Sequence, residues 1–315
     1  MPKNQTEKDG QYTRKESSFR DTVSKDHPVY QPESGRYHLY VCFGCPFAHR
    51  ALIMRVLKGL EDVIDISVVD YVLDRSTGWK FSPNKDGCTV DKVNNFEYLK
   101  QVYLLSNPNY EGRITVPVLF DKKTKTIVNN ESAEIIRILN SSFNDFCKTK
   151  EQSDLDYYPK ELQTEIDKIN SRVYENVNNG VYKTGFAQTQ EAYDINYIKL
   201  FETLDYLESH LSNNRYLLGK QFTEADIRLF PTLIRFDAVY FGHFKANRQQ
   251  IKDFPNLSNY LKELYQMEPI NKTVNFHHIK NSYYVSMSDI NPTKIVPNGP
   301  DLGYLNENHN RLDIK

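Results

Sequence analysis

"YVCFGCPFAHRALIMRVLKGL", Tyr40 to Leu60, changes its period in mid-stretch. Up to Phe43 it continues an alternation that begins at Tyr37. Tyr37, Leu39, Val41 and Phe43 fall on one side and His38, Tyr40 and Cys42 on the other, the pattern of a strand. From Pro46 the apolar residues Ala48, Leu52 and Val56 lie four apart, and Lys58-Gly59 closes the run as a helix end. Gly44 and Cys45 occupy the loop between, with Pro46 in the first helical turn, where its missing N–H costs no hydrogen bond. Cys45 thus stands at a helix start, where unpaired N–H groups and about half a positive charge gather. A thiolate is stabilised in such a place. A buried structural cysteine at a strand end is the other reading of these residues alone.

Working outward, "VIDISVVDYVL" (Val63 to Leu73) reads as a second strand, completing a strand-helix-strand unit. A polar, glycine-containing stretch follows, from Asp74 to Asp91, and then a helix over Asn94 to Asn107. A hairpin is predicted from strands Thr115 to Phe120 and Thr126 to Val128, and after it a helix in "ESAEIIRILNSSF". That helix turns Ile135, Ile136 and Leu139 inward and carries Glu131 and Glu134 in its first turn, where the dipole favours acids. Residues 144–158 are polar and acidic, a linker, and beyond them the pattern is helical. "YIKLFETLDYLESHL" spaces Tyr197, Leu200, Leu204, Leu207 and Leu211 by three and four. Thr223 and Asp226 form a capping box, and a further helix covers Leu257 to Met267. The expected organisation is a polar extension over 1–34, loosely ordered or draped on the surface, and an α/β domain over 35–145. An all-helical domain over 159–315 completes it, with a tail, extended from Asn281, packed on the body.

Composition narrows the function. Lys and Arg number 40 against 41 Asp and Glu, a net charge of -1, so no basic footprint for nucleic acid exists. No apolar run of about 18 residues predicts a membrane span, and the first 20 residues have no apolar core of a secretion signal. Four cysteines (Cys42, Cys45, Cys88, Cys147) in 315 residues make no disulfide framework, which points to a reducing compartment, the cytoplasm.

Three short pieces carry chemistry. Cys42 and Cys45 form a C-x-x-C. A dithiol pair places its resolving cysteine one turn inside the helix, where this chain has Ala48, and a zinc site needs two further ligands that no second C-x-x-C or H-x-H supplies. Cys42 reads as an ordinary strand residue, and no metal is expected. In "RITVPVLFD", Pro117 breaks a strand pattern. An edge position with a cis Val116–Pro117 bond resolves this and leaves the Val116 backbone open to an extended peptide; a plain edge strand with a trans proline is the alternative. In "NNES", Ser132 at a helix start can hold a carboxylate through its hydroxyl and N–H, and Glu131 can take an ammonium, though ordinary capping explains both as well. His277 and His278, adjacent, do not face one way on a helix and read as surface or satisfied core.

The order of a thiol before a helix, then "TVPVL", then "NES", then a helical half, resembles the glutathione transferases. "CPFAHRALIMRVLKGLEDVI", "DRSTGWKF", "RITVPVLFDKKTKTIVNNESAEIIRIL", "NNGVYKTGFA" and "NSYYVSMSDINPTKIVPNGP" resemble, more narrowly, the Xi-class glutathionyl-hydroquinone reductases, from about Tyr37 to Leu302. The resemblance implies a thioredoxin-like α/β N-terminal domain joined to an all-α domain, a homodimer, and glutathione as cosubstrate with no other cofactor. It implies Cys45 as nucleophile, and Trp79, Arg113, Val116, Glu131 and Ser132 for binding glutathione. It implies Tyr182 and one of Tyr283 or Tyr284 for the quinol, with Tyr174 a further candidate. Where the family usually has Trp this chain has Phe47, and where it usually has His this chain has Ser282 and Met287. An omega-like thioltransferase or dehydroascorbate reductase would use the same single thiol, and a transferase-fold binding module would use none.

Overall fold

Residues 9–314 are described by a computed structural model, in which the chain forms two compact units. One gathers Glu16–Asp156 with Lys272–Ser286; the other gathers the chain up to Lys15, Tyr157–Asn271 and the chain from Met287. The boundary between Asp156 and Tyr157 falls within the linker expected there, while residues 16–34 and Lys272–Ser286 group with the α/β unit.

In the α/β unit, β1 (Tyr37–Val41) leads into α1 (Pro46–Leu57) and β2 (Asp65–Val68). There follow α2 (Leu99–Ser106), β3 (Val118–Asp121), β4 (Thr126–Asn129), α3 (Ser132–Ser141) and the short α4 (Lys150–Asp154). The sheet order is β2-β1-β3-β4. β1 runs parallel to β2, with Leu39 opposite Ile66, and antiparallel to β3, with Leu39 opposite Leu119; β3 and β4 are antiparallel. β1 is buried along its length, so both faces of its alternation are covered.

Three expected elements are shorter, each for a visible reason. β2 stops at Val68 because Asp70 turns the chain, accepting from the Val72 N–H at 2.9 Å. α2 begins at Leu99, not Asn94, because the Asp91 carboxylate collects the N–H groups of Val93, Asn94 and Phe96 into a turn. β3 begins only after Pro117 and lies inside the sheet, not at its edge, so the proline removes no ladder donor. The Val116–Pro117 bond is cis, as expected.

Residues 19–21 of the N-terminal extension are tied down. Asp21 N–H donates to the Val128 carbonyl and Asn130 N–H to Phe19 at 3.0 Å each, so residues 19–21 pair along β4. The expected extended tail from Asn281 is also corrected. A helix spans Phe276–Ser286, started by Asn275, whose Oδ1 accepts from the His278 N–H at 2.9 Å, and Ile279 and Tyr283 bury one face of it.

The helical unit contains α5 (Gln163–Val173), a π-helical turn over Tyr174–Asn178, α6 (Gly180–Gly185), α7 (Gln190–Leu211), α8 (Glu224–Arg235) and a helix over Pro255–Gln266. On α7, Leu200, Leu204, Leu207 and Leu211 are fully buried, as their spacing predicts. α8 opens with the expected box: Thr223 N–H and hydroxyl both donate to Asp226 Oδ2, at 2.8 and 3.2 Å. Asp226 Oδ1 also accepts from the Leu217 N–H and the Tyr260 hydroxyl, at 3.0 and 2.8 Å. No described helix is long and apolar enough to cross a membrane.

Candidate active site

Cys45 is the residue before α1 and has extended backbone angles, as an N-cap does, but its side chain makes no capping hydrogen bond. The thiol is half-buried and turns instead to the Val116 carbonyl, with Sγ 3.6 Å from that oxygen. The "CPF" and "TVP" pieces therefore meet, though they lie far apart in sequence. Among the described residues the Val116 N–H has no hydrogen-bond partner.

The loop that sets the thiol is pressed from behind. A Cβ at Gly44 would lie 2.4 Å from Ser282 Cβ and 3.1 Å from the His278 carbonyl, so only glycine allows the Phe276–Ser286 helix this close. That helix carries Tyr283, buried, and Tyr284, half-buried, whose phenol is pushed up by burial. His278 is a core residue, as expected. Its Nε2 is 2.7 Å from the Asp86 carbonyl, and burial lowers its basicity.

The start of α3 completes the cluster. Glu131, not Ser132, is the N-cap: its Oε1 accepts from the Ala133 N–H at 3.1 Å, and its Oε2 from the Ser17 hydroxyl at 3.0 Å. Ser132 is 3% exposed. Its N–H has no partner among the described residues, and its hydroxyl oxygen lies 3.3 Å from Nη1 of Arg50 on α1. Arg50 escaped the sequence reading, because a single charge on an amphipathic helix is normally solvated; its one signal is its position inside the apolar run Ala48–Met54.

Cys42 is set apart from this chemistry. It is wholly buried, its Sγ 3.9 Å from the Asp70 carbonyl, and burial pushes its thiol up to about 12. Burial likewise pushes Cys88 up to about 11 and raises Cys147. All four cysteines are free thiols. Among the described residues no group of three or more His, Cys, Asp or Glu is placed to hold a metal ion.

The remaining candidates are less closely gathered. Trp79 is half-buried in the loop between β2 and α2, its carbonyl accepting from the Leu99 N–H at 2.9 Å, and its indole has no ring contact among the described residues. Arg113 is exposed in the loop before Val116, its carbonyl accepting from the Tyr110 hydroxyl at 2.9 Å. Tyr182 belongs to the helical unit, where it is 8% exposed on α6. There it sits among the rings of Tyr12, Phe186, Tyr240 and Phe244, with the Arg14 guanidinium 5.2 Å from its ring centre. Tyr174 opens the π-helical turn between α5 and α6.

Comparison with known proteins identifies the family. Family models described as the glutathione S-transferase N-terminal and C-terminal domains match residues 44–142 and 190–263. The glutathionyl-hydroquinone reductase PcpF of Sphingobium chlorophenolicum is 52% identical over 92% of this chain and 90% of its own length. The glutathionyl-hydroquinone reductase YqjG of Escherichia coli is 50% identical over 92% of this chain and 89% of its own. Its glutathione-bound structure superposes with a TM-score of 0.89, at 50% identity, over 93% of this chain and 96% of that one. The glutathione transferase Xi of Phanerochaete chrysosporium matches with a TM-score of 0.91 at 50% identity, over 94% of each chain. With a parallel β1–β2 pair joined by α1, an antiparallel β3–β4 hairpin and a helical second unit, this chain belongs to the glutathione transferases, in the branch of the Xi-class glutathionyl-hydroquinone reductases.

Proposed function

We propose that this protein removes glutathione from glutathionyl-hydroquinones, releasing the hydroquinone and oxidised glutathione. The observation that carries the reading is the Cys45 thiol lying 3.6 Å from the Val116 carbonyl. An extended tripeptide pairing with the Val116 backbone lays its own sulfur beside that thiol, which positions the reactants before any bond changes. Glutathione is the cosubstrate. Ser132, through its hydroxyl and N–H, takes the γ-glutamyl carboxylate, Glu131 the ammonium, Arg113 the other carboxylate, and Trp79 covers the peptide.

The Cys45 thiolate attacks the glutathione sulfur. The bond from that sulfur to the aromatic carbon breaks, the ring carbon takes up a proton, and a mixed disulfide between Cys45 and glutathione remains. Tyr182 and one of Tyr283 or Tyr284 hydrogen-bond the quinol oxygens and favour the keto tautomer, in which the ring carbon that leaves the sulfur already carries its proton. A second glutathione, as thiolate, attacks the mixed disulfide, and oxidised glutathione leaves with the Cys45 thiolate restored. The two electrons that reduce the aryl carbon come from the two glutathione sulfurs. On this reading the protein works as a cytoplasmic homodimer.

The test is intact mass after mixing the protein with a glutathionyl-hydroquinone and no free glutathione, followed by peptide mapping. One glutathione on the Cys45 peptide, with one hydroquinone released, is expected. No adduct, or an adduct on Cys42, Cys88 or Cys147, overturns the scheme. Faster turnover of a glutathione mixed disulfide than of the glutathionyl-hydroquinone would favour the omega-like alternative.

A further inference from the structure

We propose that Arg50 is a positioning residue of the glutathione site: it presets the Ser132 hydroxyl as a donor to the γ-glutamyl carboxylate. This rests on the assignment of Ser132 to glutathione and extends it by a residue that never touches the ligand. Arg50 lies on α1, one turn beyond Cys45, and is 1% exposed. Its guanidinium carbon is 4.9 Å from the centre of the Phe47 ring, so the charge rests on an aromatic face of its own helix. Its Nη1 lies 3.3 Å from Ser132 Oγ at the start of α3.

A serine hydroxyl has one proton and two lone pairs, whereas a guanidinium has donors only and keeps its charge at every working pH. Ser132 therefore accepts from Arg50, and its single proton must point elsewhere. It points to Glu131 Oε1, 3.4 Å away, an oxygen already engaged by the Ala133 N–H at 3.1 Å. A carboxylate arriving at this helix start can replace that long bond as the acceptor of the hydroxyl proton, and it also meets the open Ser132 N–H. A permanent buried cation, a hydroxyl with its proton directed away from it, and a free helix N–H are together matched to an anion. They are mismatched to an amine, which must go to Glu131. Phe47 supplies the aromatic face on which the guanidinium rests.

The experiment uses the full chain and its variants Ser132→Ala, Arg50→Lys and the double variant, with thermal melts confirming that each folds. Two substrates are compared: glutathione, and 4-aminobutyryl-Cys-Gly, which keeps the amine and thiol but lacks the γ-glutamyl carboxylate. Ser132→Ala is expected to raise the KM for glutathione about tenfold, and Arg50→Lys about fivefold with kcat within about twofold, the scale of one hydrogen bond to a charged group. In the double variant the Arg50 change adds nothing to the Ser132 change, and the preference for glutathione over the analogue falls toward one in all three. If Ser132→Ala raises KM but Arg50→Lys does not, or if their effects multiply, the positioning role is overturned while the site stands. If Ser132→Ala itself leaves the preference intact, the carboxylate assignment falls, and the Arg50 role with it.

Discussion

Two kinds of helix start in this chain use similar residues to opposite ends. At α8 the start is sealed: Thr223 and Asp226 satisfy each other, and the Leu217 N–H and Tyr260 hydroxyl fill the remaining carboxylate positions. At α1 and α3 the start is open. Cys45 leaves its helix uncapped, and Glu131 caps α3 while the Ser132 N–H stays unused among the described residues. A helix end whose donors are consumed locally holds the fold together. One whose donors are left over, as at the Ser132 N–H, is where a carboxylate gains from the same partial charges.

Substitutions at the two kinds of end should therefore fail in different ways. Cys45→Ser is expected to cut reductase turnover by about a thousandfold or more, the scale for losing a nucleophile, with a melting temperature close to that of the parent. Asp226→Ala strands several buried donors and should cost about 3 kcal/mol of stability while leaving the KM for glutathione of the folded protein unchanged. Denaturant unfolding beside steady-state kinetics on both variants checks the pair; a large stability loss in the first, or a KM change in the second, would erase the contrast. The smallest effect belongs to Cys42, which shares the loop but not the exposure. Cys42→Ser should keep turnover within about twofold and cost about 1 kcal/mol. Its thiol is held protonated in the fold, pushed up to about 12 by burial. The folded state thus binds the proton more tightly than the unfolded chain, so this contribution is full below the ordinary thiol range and is lost as pH rises toward 12. Urea unfolding between about pH 8 and about 11 should show a shallower decline in Cys42→Ser than in the parent.

The β1–α1 corner was legible because period two gives way to period four at Pro46, which places Cys45 at the helix start. Ser132 and Val116 were legible as residue types at helix and strand ends. The placement of Pro117 was half legible: its cis bond could be read, but the interior position of β3 depends on pairing with β1 and β4, which no local pattern reveals. The Phe276–Ser286 helix was hidden by the prolines that follow it and by an apolar face reduced to Ile279 and Tyr283. Arg50 was invisible because its meaning lies in a contact with a residue on another helix.

The pairing of residues 19–21 along β4 has a consequence for solubility. On the opposite margin, Thr89 N–H donates to the Val68 carbonyl and its hydroxyl receives the Val68 N–H, so β2 is screened as well. The β4 edge of the four-stranded sheet is thereby paired, and the β2 edge is covered at Val68, which limits where another copy can template itself. Residues 19–21 thus act as a guard on the β4 edge, and removing them would bare that strand to edge-to-edge pairing.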